Sequence, residues 1–323
     1  RQAMNNLPIN VPLFLFIDSN AANGSGNYTL RIQDVGIAPE SSPPQRTKFD
    51  FDGDGRSDIS LFRPAGGFWH LNRSRDGVSA TQFGLANDKL TPADFDGDGR
   101  TDIAVFRDGF WYWLNSSNGN FNAIQFGLPD DIPVPADFTA DGRAELAVYR
   151  GGFWYTLNLA NGQFQAVQFG LAADKPVAAD YDGDSRADYA VFRDGFWYFL
   201  HSTRGFAAVQ FGLPTDKLVP ADYDGDGKTD LATIKSVFNE MVWTIQRSSD
   251  GATESIPFGV YSQDFPAQGD YNGDGQTDIA VYHKTGQFTS NPSYFIWRRP
   301  DGTESITQWG GGADNSIASI LAY

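Results

Sequence analysis

At 323 residues the chain is long enough for two ordinary domains, but its regular internal repetition points to one closed array instead. The formal charge is −16, yet 22 of the 40 acidic residues fall at fixed positions of recurring loops, so neither nucleic acid nor an anionic membrane surface is implied as a partner. The absence of cysteine excludes a disulfide framework, and no run of 18 or more apolar residues is present to cross a bilayer as a helix.

In chain order, the first predicted elements are two apolar strands, residues 11–18 and 27–35, joined by a turn rich in Gly, Asn and Ser. No secretory leader precedes them, so the numbering is expected to begin on a mature or trimmed chain. Residues 37–49, with Ser-Ser-Pro-Pro, form a linker into the first acidic loop.

Six loops of nine residues then follow at a spacing of 42 to 48 residues, beginning at Asp50, Asp94, Asp137, Asp180, Asp222 and Asp270. Carboxylates at positions one, three, five and nine, with glycine at six, suit a hard cation that takes six to eight oxygens around a sharply turned backbone. Calcium is the expected ion, about five or six per chain and mainly structural. The carboxylate positions are Asp50, Asp52, Asp54 and Asp58; Asp94, Asp96, Asp98 and Asp102; Asp180, Asp182, Asp184 and Asp188; and Asp222, Asp224, Asp226 and Asp230. The sixth loop has Asp270, Asn272, Asp274 and Asp278. The third departs most, keeping Asp137 and Asp141 but placing Thr139 and Glu145 where aspartate is expected, and in the fourth Ser185 replaces the turn glycine.

Each repeat reads as four strands, a short one before the acidic loop and three after it; in the second repeat these are residues 90–95, 103–107, 110–115 and 121–126. Pro92, Pro135 and Pro220 cannot donate a ladder hydrogen bond, which puts the first strand at an edge, and the alanines beside them suit a crowded central axis. Tight hairpins are signalled by Asp108-Gly109, Gly151-Gly152 and Asp194-Gly195. Every repeat closes on an aromatic-Gly pair, from Phe83-Gly84 to Trp309-Gly310, followed by a recurrent aspartate such as Asp88 or Asp314. After the last pair only one strand remains. The expectation is an all-β, seven-bladed propeller of four-stranded antiparallel blades over residues 1–323: six calcium-loop repeats (50–310), and a seventh blade closed by N-terminal strands (1–36) with an inner strand from residues 311–323.

The acidic loop and the Phe-Gly pair, recurring together in register, resemble the FG-GAP and VCBS repeat family over residues 45–323. That resemblance implies calcium held between the first two strands of a blade. It adds the main-chain carbonyl of position seven to the ligand set, at Arg56, Arg100, Arg143, Arg186, Lys228 and Gln276. It also implies a secreted or cell-surface module that recognises glycans or surface proteins.

Weakly binding loops of this kind fill where calcium is near millimolar, which again points outside the cell. The three histidines, His70, His201 and His283, fall in different repeats without a triad or zinc spacing, so an enzyme, such as a polysaccharide lyase or hydrolase, is not expected. The tryptophans suit blade packing better than sugar stacking. The expected recognition face is the rim that carries Asp88-Lys89, Asp174-Lys175 and Asp216-Lys217 and the irregular segments 235–241 and 284–294. The alternative is self-association, with the apolar N-terminal strands completing a neighbour's open blade in a filament or surface layer.

Overall fold

The computed structural model describes residues 47–286, 290–299 and 301–321. The chain divides into two units, residues 1–40 and 41–323, and the strands below belong to the second. The predicted strands within residues 1–36 lie outside the described residues.

Six antiparallel sheets of four strands make a six-bladed β-propeller. Blade two runs β4 (Lys89–Leu90), β5 (Ile103–Arg107), β6 (Phe110–Leu114) and β7 (Phe121–Gln125) from the inner edge outwards. Blade three has β8 (Ile132–Pro133), β9 (Leu146–Arg150), β10 (Phe153–Leu157) and β11 (Phe164–Gln168). Blade four has β12 (Lys175–Pro176), β13 (Tyr189–Arg193), β14 (Phe196–His201) and β15 (Gly205–Gln210). Blade five has β16 (Lys217–Leu218), β17 (Leu231–Val237), β18 (Glu240–Gln246) and β19 (Thr253–Val260), and blade six β20 (Asp264–Pro266), β21 (Ile279–Lys284), β22 (Pro292–Arg298) and β23 (Glu304–Gly311).

Blade one is assembled from both ends of the unit. Its outer strands β1 (Ile59–Arg63), β2 (Phe68–Arg73) and β3 (Gly77–Gln82) follow the first acidic loop, but its inner strand is β24 (Asn315–Ser316). The expected seventh blade is therefore corrected to none. Because each acidic loop lies after its inner strand, the strand left over at the C-terminus has the same place in the repeat as β4. It takes the same register, Leu61 opposite Ser316 and Phe62 opposite Asn315, where β4 has Val105 opposite Leu90 and Phe106 opposite Lys89. Arg63 clamps this closure with two hydrogen bonds to Asp314, Nε to Oδ1 at 2.7 Å and Nη2 to Oδ2 at 2.9 Å.

The inner strands are shorter than the pattern predicted. Regular pairing stops after two or three residues, and one isolated bridge resumes it beside the loop, as at Ala93 with Asp102 and Ala136 with Glu145. The residues on either side of Pro92 and Pro135 carry the bonds to the second strand, Thr91 donating to Ala104 and Val134 to Ala147, so each proline has its missing amide on the free-edge side. The hairpin pairs adopt positive φ as their sequences demand, 53° and 81° at Asp108-Gly109.

The tryptophans are core residues. Trp69, Trp111, Trp154, Trp197 and Trp243 are fully buried, and each indole Nε1 donates to the carbonyl of the aromatic residue in the closing pair, Phe83, Phe126, Phe169, Phe211 and Phe258, at 2.8–2.9 Å. That bond turns the aromatic-Gly pair against the third strand of its own blade, and the following glycine takes positive φ, 124° at Gly127. The recurrent aspartate then caps the turn: Asp131 Oδ2 accepts the Leu128 amide at 2.8 Å, while Oδ1 faces Arg150 Nε at 3.2 Å.

Candidate metal centre

Acidic loops two to six each join an inner strand to the second strand of the blade, loop one leads into β1, and in every loop carboxylates are first used to fold the loop itself. In loop one Asp50 accepts the Gly53 amide on Oδ1 at 2.6 Å and the Gly55 amide on Oδ2 at 2.8 Å. The position-one aspartates of loops two, four, five and six repeat this pair of bonds. Asp54 accepts the Arg56 amide, an Asx turn that recurs at position five of every loop. Asp58 accepts the Phe51 amide and the Ser74 amide, both at 2.8 Å, and so ties the loop to the end of the third strand. Gly53 and Gly55 have φ of 76° and 86°; Ser185 adopts 69° at the equivalent of Gly55, a left-handed conformation that costs a residue with a Cβ about 1–2 kcal/mol.

These contacts bring the carboxylates together. In each of the sets Asp50, Asp52 and Asp58; Asp94, Asp96 and Asp102; Asp180, Asp182 and Asp184; and Asp137, Asp141 and Glu145, one oxygen from every residue lies within 4.8 Å of the others. Burial, reinforced by neighbouring carboxylates, pushes the carboxyls of Asp58 and Asp278 up to about 7 and those of Asp102 and Asp230 up to about 6. Burial also raises Asp50, Asp180, Asp222 and Asp270. Like charges out of water are what a bound cation would offset.

A divalent ion fits loops one and four on an independent observation. Asp52 and Asp182 are buried, and in each Oδ1 has no hydrogen-bond partner, whereas Asp52 Oδ2 accepts the Arg75 and Asp76 amides. A buried carboxylate oxygen with nothing donating to it is a vacant ligand. The oxygen-only donor set of loop one suits calcium. In loop four His201 joins the cluster, its Nδ1 3.0 Å from Asp188 Oδ2 and its ring stacked on Phe199. In loop six the Asn272 amide nitrogen faces Asp274 Oδ2 at 2.9 Å while its Oδ1 accepts the Asp274 amide at 2.8 Å, so turning the oxygen toward a cation would give up one main-chain bond.

Two features of the loops were not legible in their spacing. The position-seven side chain, named above only for its carbonyl, lies over the position-four glycine of the preceding loop: a Cβ on Gly53 would stand 3.0 Å from Arg100 Cγ, and one on Gly97 2.8 Å from Arg143 Nε. Lys228 covers Gly183 in the same way, Gln276 covers Gly225, and Arg56 covers Gly273. The second is a ring of main-chain bonds. The position-eight amide of each loop donates to the position-one carbonyl of the loop before it, at 2.6–2.7 Å: Thr101 to Asp50, Ala144 to Asp94, Ala187 to Asp137, Thr229 to Asp180, Thr277 to Asp222, and Ser57 to Asp270 across the closure.

The opposite rim differs from its expectation. Its aspartates are structural, since Asp131, Asp174 and Asp216 are buried caps, and Lys89 Nζ donates to the Asp131 carbonyl at 2.6 Å. Segment 235–241 is an extension of the β17–β18 hairpin, carried to Val237 opposite Glu240 with a tight turn at Phe238 and Asn239, φ 49° and 69°. Segment 284–294 is only partly within the described residues. A cleft of about 480 Å³ opens over blade two on this rim, lined by Leu85, Lys89, Phe106, Arg107 and Pro129.

Outside the loops, exposed phenylalanines recur at one position of the outermost strands. Phe121, Phe164 and Phe206 are 60%, 57% and 67% exposed, each at 6.3–6.4 Å edge-to-face from an aromatic ring of the preceding blade, Phe83, Phe126 and Phe169. Phe121 and Phe164 also stack on Tyr112 and Tyr155, whose rings lie under the Arg107 and Arg150 guanidinium groups at 4.8 and 4.6 Å.

Residues 50–105 and 94–148 match the FG-GAP-like repeat family, so FG-GAP-like repeats are present over residues 50–148. A comparison with curated protein sequences finds no match. Among solved structures, a lectin of Agrocybe aegerita that recognises non-reducing terminal N-acetylglucosamine is similar at a TM-score of 0.54 and 18% identity, over 84% of this chain and 81% of the lectin. TolB of Acinetobacter baumannii is similar at a TM-score of 0.53 and 17% identity, over 81% of this chain and 65% of TolB. At these identities the likeness is one of fold.

Proposed function

We propose that this propeller is a calcium-stabilised, non-catalytic recognition module working outside the cell, and that its ligand is a glycan. Calcium is held by the acidic loops, through the carboxylates of positions one, three, five and nine and the position-seven carbonyls. It supplies positive charge to buried carboxylates and chemistry to no substrate. The observation that carries the glycan reading is the threefold repetition of Phe121, Phe164 and Phe206, large apolar rings left in water at one position of consecutive blades. A single exposed apolar side chain needs no explanation. Three in register, two of them beside a tyrosine and a guanidinium, offer repeated flat surfaces for the C–H face of a sugar ring, with hydrogen-bond donors at the edge. The lectin with the same fold supports this reading by analogy.

The test is a glycan array on the calcium-loaded protein, followed by calorimetry with the best ligand. Phe121→Ala, Phe164→Ala and Phe206→Ala should each lower the number or strength of sites while leaving the melting temperature within about 1–2 °C, since exposed residues add little to stability. Unchanged binding by the triple variant refutes the assignment.

A surface-protein ligand is the second reading, favoured by Phe238, 103% exposed at the tip of the elongated hairpin of blade five. The strand-exchange alternative loses its acceptor. Each of the six blades has four strands, and the described residues hold no open seventh blade to receive a donor.

A further inference from the structure

Five of the six loops have a carboxylate or an amide at position three and an aspartate at position nine; the third has Thr139 and Glu145. Its interior is already filled by the side chain of Asn158, which follows β10. The Asn158 amide nitrogen lies 2.7 Å from Glu145 Oε1, 2.8 Å from Asp141 Oδ2 and 3.1 Å from Thr139 Oγ1. Thr139 Oγ1 in turn donates to Glu145 Oε1 at 2.8 Å, and the second oxygen of Glu145 accepts the Phe138 amide at 2.6 Å. Three oxygens that correspond to positions three, five and nine thus converge on one nitrogen.

That nitrogen cannot be exchanged for a ligand by turning the amide over. Asn158 Oδ1 accepts the main-chain amides of Ala160 at 2.8 Å and Asn161 at 3.1 Å, so the flipped amide would set two N–H groups against two N–H groups. An amide nitrogen has no lone pair to give a cation. Asn158 and Glu145 are 3% and 1% exposed, and rearrangement would strand polar groups away from water. Blade two shows that the residue type alone is not the cause. Asn115 has the equivalent place, but its Oδ1 accepts from Trp113 Nε1 and Asn122 Nδ2, and the Ser116 hydroxyl serves Asp98. Blade three has Thr156 where Trp113 stands and Leu159 where Ser116 stands, which frees the asparagine to turn inward.

We infer that the third loop takes no cation and that the Asn158 amide replaces it, so the propeller binds five ions and blade three is folded without metal. The inference rests on the calcium reading of the other loops. Its test is the calcium count of the intact chain by native mass spectrometry, with hydrogen exchange in calcium and in EDTA. Five ions are expected, with Phe138 and Gly142 equally protected in both buffers while Gly55, Gly99, Ser185, Gly227 and Gly275 exchange faster in EDTA. Six ions, or loss of protection at Phe138 and Gly142 on chelation, overturns the inference. No bound calcium, with the other loops indifferent to EDTA, overturns the calcium reading and this inference together. A variant with Thr139→Asp, Glu145→Asp and Asn158→Ser should bind a sixth ion, and a stably folded variant still at five refutes the role given to Asn158. Should that variant fail to fold, the count and exchange pattern of the natural chain still decide.

Discussion

Closure by the C-terminal strand makes Ile317 the most informative residue to change. Its side chain is fully buried in a cluster that joins blade one, through Leu61 and Phe62, to blade six, through Ala280, Tyr282 and Phe295, with Phe49 and Phe51 between them. Ile317→Ala removes three carbons. At about 0.8 kcal/mol for each buried methylene, and with a cavity term added, the loss should be roughly 2–5 kcal/mol. For a unit of this size that is a fall in melting temperature of roughly 5–15 °C. The control is Ile306→Ala, the same chemical change at a side chain 65% exposed, where about 0.5 kcal/mol or less is expected. Both are read by calorimetry in saturating calcium. If the two variants melt together, the C-terminal strand does not close the ring and the six-blade assignment of residues 315–317 fails. A chain without residues 1–40, a separate unit, should in contrast keep the cooperative transition.

Chelation should lower the melting temperature, because a site at 100 times its dissociation constant adds about 2.7 kcal/mol; equal melting curves in calcium and EDTA would count against bound calcium. The pH dependence should differ between the two buffers. Without metal, Asp58 and Asp278, raised to about 7, and Asp102 and Asp230, raised to about 6, hold protons in the folded state that the unfolded chain releases near pH 4. Folded protein therefore binds more protons across this window, and stability in EDTA should fall as pH rises from 5 to 8. In saturating calcium the metal keeps the same carboxylates ionised in the folded state as they are in the unfolded chain, so stability should be nearly flat over that range; the same fall in both buffers would refute the assignment. Ser185→Gly should stabilise by about 0.5–1 kcal/mol, the left-handed strain at φ 69° less the extra chain entropy of glycine, and a destabilised variant would show that the Ser185 side chain serves the loop.

The loops were legible because a cation constrains residue type at fixed spacing, and the strands because the pattern repeats in every blade. The blade number was not. It depends on where one surplus strand pairs, and the pairing that decides it, Arg63 with Asp314, spans 251 residues. Local pattern carries no signal for a contact so distant, and an apolar N-terminal segment made an eligible partner. The content of the third loop was half legible: Thr139 and Glu145 marked it as aberrant, while the residue that fills it lies 13 positions beyond Glu145. Asn115 shows why no pattern could have named it, since the same residue at the same place turns away when a tryptophan stands behind it. The exposed Phe121, Phe164 and Phe206 were hidden by their own regularity, because a phenylalanine in a strand reads as core until the outermost strand of each blade is known.

The ring of main-chain bonds gives the loops a role beyond their own blades. The residue whose carboxylate folds each loop, Asp50 for example, gives its main-chain carbonyl to the next blade, at Thr101. An ion that fixes the carboxylate fixes the peptide that follows, and with it the bond to the neighbour. In an open solenoid such nearest-neighbour terms let the ends fray. Here Ser57 returns the chain of bonds to Asp270, and Arg56 covers Gly273, so no loop is terminal. Stepwise chelation should then lower one cooperative melting transition as a whole. Separate transitions for loaded and empty blades would mean that each ion serves only its own hairpin and that the ring of bonds transmits nothing.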